Sequence, residues 1–346
     1  MKNGCCFLIV LAAVFFITSC KTAKVMIVDL TVPPVEEVSD KIQSLTLVNR
    51  AVDRRFTDDP KDTIQLRFYE SQFNLDTVIY DRSASDTLLK ALGNLLYESG
   101  RFDVVIPENR FLERDTVNLY ADQMDWKEVE ELTTRFNTDA VLSLDYFKTG
   151  ISAVFGKIPN HNWQVWDKDF LYLADMRVGY AANFRMYYPG EKENLISYFL
   201  SDTLQWQEEH IEITPLFKSF TKVKDALAEA GIAAALNLNN RIAPVWKSYE
   251  RAWFPSGSSL LRETAAMVGN NEWEAAMKKW KDAADSKMSK SLRSILEFNT
   301  ALAYEMMGDL DEAIRWGLKS YSSFYRPVTQ NYLNILKERK RLFEKK

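Results

Sequence analysis

Beyond residue 20 the chain has no cysteine; Cys5, Cys6 and Cys20 are all it contains. The rest of the chain therefore forms no internal disulfide and offers neither a thiol nucleophile nor a thiolate metal site. Histidine is nearly as scarce, with His161 in IPNHNW and His210 in QEEHIEI. Glu208, Glu209 and Glu212 flank His210, but the spacing matches no standard ligand set and reads as a solvated charged turn. There is no glycine-rich phosphate loop, no G-x-S-x-G elbow and no H-E-x-x-H. An excess of basic charge is missing too. Lys and Arg number 44 against 48 acids, a net −4, which argues against a nucleic-acid partner. Only 12 glycines and 10 prolines punctuate 346 residues, and no low-complexity tract occurs. After the first twenty residues no apolar run approaches the ~20 needed for a membrane-spanning helix. These absences lead to the expectation of a non-enzymatic protein with no metal and no cofactor.

What is present begins at the amino terminus. Lys2 supplies a positive start, Cys5 to Phe16 is unbroken apolar sequence, and Ile17, Thr18 and Ser19 lead into Cys20. The apolar run is too short to span a bilayer and has the length of a signal-peptide core. The stretch resembles the bacterial lipobox: an aliphatic residue, two small residues, then cysteine. That resemblance implies cleavage between Ser19 and Cys20, acylation of the Cys20 thiol and of the new amino terminus, palmitate included, and firm membrane attachment, because more than one chain is buried. Cleavage removes Lys2 and no acid, so the formal charge moves from −4 to −5. Lys21 follows Cys20 where an aspartate would imply inner-membrane retention, and no acidic surface-export cluster is present. The expected location is thus the cell envelope, on the periplasmic face of the outer membrane.

Residues 20–213 read as an α/β domain. Val25 to Val32 is extended and closed by Pro33-Pro34, and Ile42 to Val48 is a strand. Leu88, Leu92, Leu95 and Leu96 recur at helical spacing before Gly100, and Phe102 to Ile106 is a short strand. A second helix starts at Asp125, with Glu128 placed for a capping box and Trp126, Val129, Leu132 and Phe136 on its apolar face. Asp139 to Phe147 is the next strand. This alternation argues for a layered α/β arrangement. The pattern around ESGRFDVV and NTDAVLSLDYF resembles the α/β domains of envelope lipoproteins of the TolB amino-terminal and curli-secretion types, over roughly residues 25–147. Then Met176, Val178, Tyr180, Ala182, Phe184, Met186 and Tyr188 alternate with polar residues, and Ile196, Tyr198, Leu200, Leu204 and Trp206 return, predicting a long antiparallel hairpin turning at Pro189-Gly190.

From Pro215 the sequence becomes helical. Residues 214–256 read as a connecting helix and linker, with Trp246, Tyr249 and Trp253 available to pack where two domains meet. Residues 257–346 contain two matching segments, NNEWEAAMKKWKDAAD and GDLDEAIRWGLKSY, spaced by about 37 residues. Asn271 aligns with Gly308, Trp273 with Leu310, Ala276 with Ala313 and Ala283 with Ser320. Ala301, Tyr304, Gly308, Leu310 and Ala313 make the second copy similar to a tetratricopeptide repeat. The resemblance implies that Asn299, Leu302, Glu305 and Met306 line a concave face, with Asn299 placed to hold a peptide backbone; filling of that groove by the chain itself is the alternative. A polar terminal helix, 328–346, reads as a solubilising cap.

The expected fold is therefore α+β: residues 1–19 a signal peptide, 20–213 the α/β domain with its hairpin, 214–256 a connection, and 257–346 helical tetratricopeptide-like hairpins. The layout resembles an uncharacterised Bacteroidetes lipoprotein family. The expected role is to bind a protein or peptide partner through the helical repeat, with the membrane held through the lipidated terminus. Self-association as a homo-oligomeric assembly or secretion component is the alternative.

Overall fold

The computed structural model describes residues 23–51, 72–75, 81–112, 120–160, 169–192 and 195–344. Ser19, Cys20 and His161 lie outside the described residues. The chain is α+β, and it divides into two compact units: residues 34–245, and residues up to Pro33 together with 246–346.

In the first of these units, six of the described strands form one sheet. Its path is β4 (Asp103–Val105), β2 (Ser44–Asn49), β5 (Ala140–Pro159), β6 (Phe170–Tyr187) and β7 (Ile196–His210), and β3 (Gln72–Leu75) pairs with the far part of β5. β2 runs parallel to both β4 and β5, while β5, β6 and β7 are antiparallel. Period two explains the layers. Leu45 and Leu47 of β2 point to one face with Leu142, Leu144 and Met186, and meet Leu88 and Leu92 of helix α1 (Asp81–Glu98). Val48, Val141 and Tyr187 point to the other face, where Val129 and Leu132 of α2 (Trp126–Phe136) cover them. The expected hairpin is present, with Met186 opposite Ile196 and Phe184 opposite Tyr198. Asp125 caps α2, although its carboxylate accepts from the Lys127 N–H rather than from Glu128.

Two features of this unit differ from the sequence expectation. β5 runs on past Phe147 to Pro159, through Gly150 and Gly156, after a bulge between Leu144 and Tyr146. And residues 213–242 are not a connection. After the short helix α3 (Ile213–Ser219), α4 (Val223–Ile242) is a core element: Ala226, Leu227, Ala230, Ala234, Ala235 and Leu238 are buried in the same cluster as α1. Small residues let α4 approach α1 closely. At Gly231 a Cβ would lie 2.4 Å from the Ala84 carbonyl oxygen, so only glycine fits.

The second unit pairs β1 (Lys24–Val32) with β8 (Val245–Trp253) in a two-stranded ribbon, followed by five consecutive helices. β1 thus sits with the helices and not with the α/β sheet. The helices are α5 (Ser259–Gly269), α6 (Trp273–Ala284), α7 (Lys290–Met306), α8 (Leu310–Ser323) and α9 (Pro327–Glu344). Each packs on the next around Leu261, Trp280, Phe298, Leu302 and Leu336. Ser258, Ser289 and Asp309 cap α5, α7 and α8, each side-chain oxygen accepting a backbone N–H three residues on. The aligned Asn271 and Gly308 both adopt left-handed backbone, with φ of 63° and 83°. Trp273 and Leu310 open their helices, and Ala276 and Ala313 are fully buried. The 37-residue spacing is therefore a repeat of geometry as well as of sequence.

Candidate functional site

The residues expected to line a groove lie on α7, and the structure corrects their setting. Asn299 is fully buried. Its amide oxygen accepts from the Phe254 N–H at 3.0 Å, and its amide nitrogen donates to the Phe254 carbonyl at 2.8 Å. It holds a peptide backbone, but that backbone is the chain's own, just after β8. Phe254 packs edge-on against Phe298, which in turn meets Tyr332. Leu302 is fully buried in the helical core, Glu305 is buried, and Met306 is half-buried. The repeat resemblance places these residues on a face open to a partner. It could not show that the end of β8 lies across them.

Glu305 is the centre of a charged cluster. Arg251 of β8 donates from Nε at 2.9 Å and from Nη2 at 2.8 Å, Arg339 of α9 donates from Nη1 at 2.9 Å, and the Tyr332 hydroxyl donates at 2.8 Å. Burial alone would raise the carboxyl's pKa. The Arg251 guanidinium, with Tyr332 and Arg339, outweighs that and holds it below the usual range. Tyr332 is pushed well above the ordinary phenol value, by burial first and by the adjacent carboxylate second. The cluster ties β8, α7 and α9 together.

Against this cluster lies a cavity of about 490 Å³. Arg251 and Arg339 line it together with Val32, Pro33, Ile335, Leu342 and Phe343. Further along the same unit, Leu318, Tyr321, Phe324 and Tyr325 make a ridge at the end of α8, each between 38% and 55% exposed. The Tyr321 and Tyr325 rings meet edge to face at 5.4 Å.

The α/β unit holds a second buried charge cluster that sequence reading did not single out. Asp145, at the β5 bulge, is fully buried, with Arg185 Nη1 at 3.0 Å, Arg50 Nη1 at 3.5 Å and the Tyr187 hydroxyl donating at 3.3 Å. Burial raises its pKa, against the opposing pull of Ser143 and the two arginines. The only signal in the sequence was an acid inside an otherwise apolar strand. Ser143, Arg185 and Tyr187 already surround it, so it ties neighbouring strands together.

Among the described residues, no group of three or more His, Cys, Asp and Glu side chains is arranged to hold a metal, and no helix is long and apolar enough to cross a membrane. His210 accepts at Nδ1 from the Glu212 N–H, closing the turn after β7.

Residues 42–254 match a family described as a domain of unknown function (DUF8603), and residues 262–338 match a second described as a domain of unknown function (DUF6340). No curated protein matches the chain. The first match spans most of the α/β unit and runs on through β8, and the second spans most of the helices.

Proposed function

We propose, for a chain that belongs to the DUF8603 family, a non-enzymatic role: a lipoprotein anchored through Cys20 in the cell envelope, on the periplasmic side of the outer membrane, that binds a protein or peptide partner through its helical unit. The observation that carries this reading is the ridge of Leu318, Tyr321, Phe324 and Tyr325. Three aromatic rings and a leucine exposed along one short stretch of chain, two of the rings in contact, have the composition of an interface centre, where tyrosine and phenylalanine supply large area at low side-chain entropy. Glu305 and Asn299, on the inner side of α7, are already paired within the protein. The binding surface in this reading is the outer side of α8, since the face around Asn299 is filled by residue 254.

The experiment is chemical crosslinking of the anchored protein in its own envelope, followed by capture, with Tyr321→Ala/Tyr325→Ala as the comparison. The expected result is one protein enriched with the native chain and lost with the double variant. Equal recovery by both would remove the ridge from the account. Self-assembly is the second reading. It is favoured by β7, a 15-residue strand at the end of the sheet path, whose outer backbone edge meets no other strand among the described residues. Recovery of copies of this chain alone would support it.

A further inference from the structure

We propose that the cavity beside α9 is a binding site for a long-chain carboxylate, with the aliphatic chain against Val32, Pro33, Ile335, Leu342 and Phe343 and the anionic head on Arg251 and Arg339. This goes beyond partner binding at the α8 ridge and does not depend on it.

Charge carries the first part. Two guanidiniums share a single carboxylate, Glu305, and Tyr332 already occupies one of that carboxylate's acceptor sites. The floor of the cavity therefore keeps an excess of one positive charge in a site of low dielectric, where an anion is strongly favoured. The guanidiniums also have donors to spare. Arg251 Nη1 donates to the Glu250 carbonyl and Arg339 Nη2 to the Thr31 carbonyl, and each of these terminal nitrogens carries a second N–H. The acid on the cavity wall, Glu338, is exposed and paired with Arg341 at 2.6 Å, so it does not cancel the floor.

The walls carry the second part. At about 490 Å³ the cavity is within the usual size for a small-molecule site. A bound peptide would bring an N–H and a C=O at every residue; Thr31, Tyr249 and Asn334 also line the cavity and can meet a few of them, but along Val32, Pro33, Ile335, Leu342 and Phe343 the rest go unpaired, at considerable cost. An aliphatic chain brings none. Leu342 lines the cavity and is half-exposed, so the cavity reaches solvent at that residue.

The test is calorimetric titration of the purified chain carrying Cys20→Ser with decanoate, dodecanoate and tetradecanoate below their micelle concentrations, and with dodecanol, dodecyltrimethylammonium and acetyl-trileucine as comparisons. Burial of the chain predicts Kd falling about fourfold for each added methylene. Dodecanol should bind at least tenfold more weakly than dodecanoate, and dodecyltrimethylammonium should not bind. Leu342→Glu, a change at a half-exposed position that leaves the core intact, should weaken dodecanoate at least tenfold. Arg339→Met should erase the preference for carboxylate over alcohol, its melting curve showing that it folds; if it does not fold, Leu342→Glu decides. No binding of dodecanoate, equal affinity for dodecanol, undiminished binding by Leu342→Glu, or tighter binding of acetyl-trileucine would each overturn the assignment.

Discussion

Asn299 pairs with both backbone groups of Phe254, accepting from its N–H and donating to its carbonyl. Forty-five residues separate the two, and both are buried. The pairing fastens the end of β8 to the inner side of α7 and closes the face that the repeat resemblance would have left for a partner. Its value is structural, since a buried backbone N–H and C=O without partners are costly. Asn299→Ala should therefore destabilise the protein by about 2–4 kcal/mol, as two buried groups lose their bonds. Urea denaturation followed by tryptophan fluorescence measures this. A change below about 0.5 kcal/mol would mean that water replaces the amide, and that the segment is free to leave.

Glu305 supplies a second prediction, with a sign in pH. Its folded pKa lies below its unfolded value of 4.5, so the stability it contributes is fully present above that value and is lost as pH falls through the lower folded one. Glu305→Gln leaves Arg251 and Arg339 without their shared carboxylate and should cost about 3–5 kcal/mol near neutral pH. The gap between wild type and variant should shrink steadily as the pH is lowered below 4.5 and through the depressed folded value. A gap that stays constant to acid pH would show that the loss is one of packing.

Asp145 has the opposite sign. Burial raises its folded pKa above 3.8, so its ionisation reduces stability as pH rises from 3.8 through the folded value. Asp145→Asn should remove that decline, while Arg185 and Arg50 are left facing a neutral amide. Denaturation midpoints of wild type and Asp145→Asn, measured from about pH 3 to about pH 7, separate the two cases by sign: wild type gains on the variant as the pH rises if the arginine contacts dominate, and the variant gains on wild type if burial does. The raised pKa predicts the second, with Asp145→Asn gaining on wild type as the pH rises.

Much of this architecture is legible in the residues themselves, and the reasons differ by element. The β6–β7 hairpin follows from period two over Met176 to Met186, where each apolar residue is buried and each register partner is close in sequence. The alignment of Asn271 with Gly308 anticipates a shared backbone conformation, because asparagine is the non-glycine residue that best tolerates positive φ. Long-range pairing was not legible. β1 and β8 meet across most of the chain, with Ser248 donating to Asp29 from 219 positions away, and no local pattern announces it. The role of α4 was hidden for another reason. An alanine-rich helix has a weak amphipathic signature, and its tight seat against α1 depends on Gly231 and its alanines. The candidate site was half legible: the repeat resemblance grouped Asn299 and Glu305 on one face of α7, while Arg251 and Arg339, which give Glu305 its character, come from other elements of the chain.

Gly231 tests that seat. A Cβ 2.4 Å from the Ala84 carbonyl oxygen cannot be absorbed by a flexible side chain, because the opposing atom is backbone. Gly231→Ala gains helix propensity of about 1 kcal/mol, yet overpacking of this kind costs about 1–3 kcal/mol. The net expectation is destabilisation, read as a lower urea midpoint. A more stable variant would show that α1 and α4 can separate without penalty.

The left-handed turn at Asn271 gives the last prediction, in which two effects compete. Its φ of 63° favours glycine, but its side-chain oxygen also accepts from the Trp273 indole at 2.9 Å. Asn271→Ala loses both the tolerance and the bond and should cost about 2 kcal/mol. Asn271→Gly keeps the backbone conformation and loses only the bond, so it should cost about 1 kcal/mol or less. Gly308→Ala, where a Cβ meets nothing within 4 Å, isolates the backbone contribution and should cost about 1 kcal/mol. Thermal unfolding of the three variants separates the contributions. If Asn271→Ala and Asn271→Gly were equally destabilising, the indole bond alone would account for the asparagine, and the geometric equivalence with Gly308 would have no energetic weight.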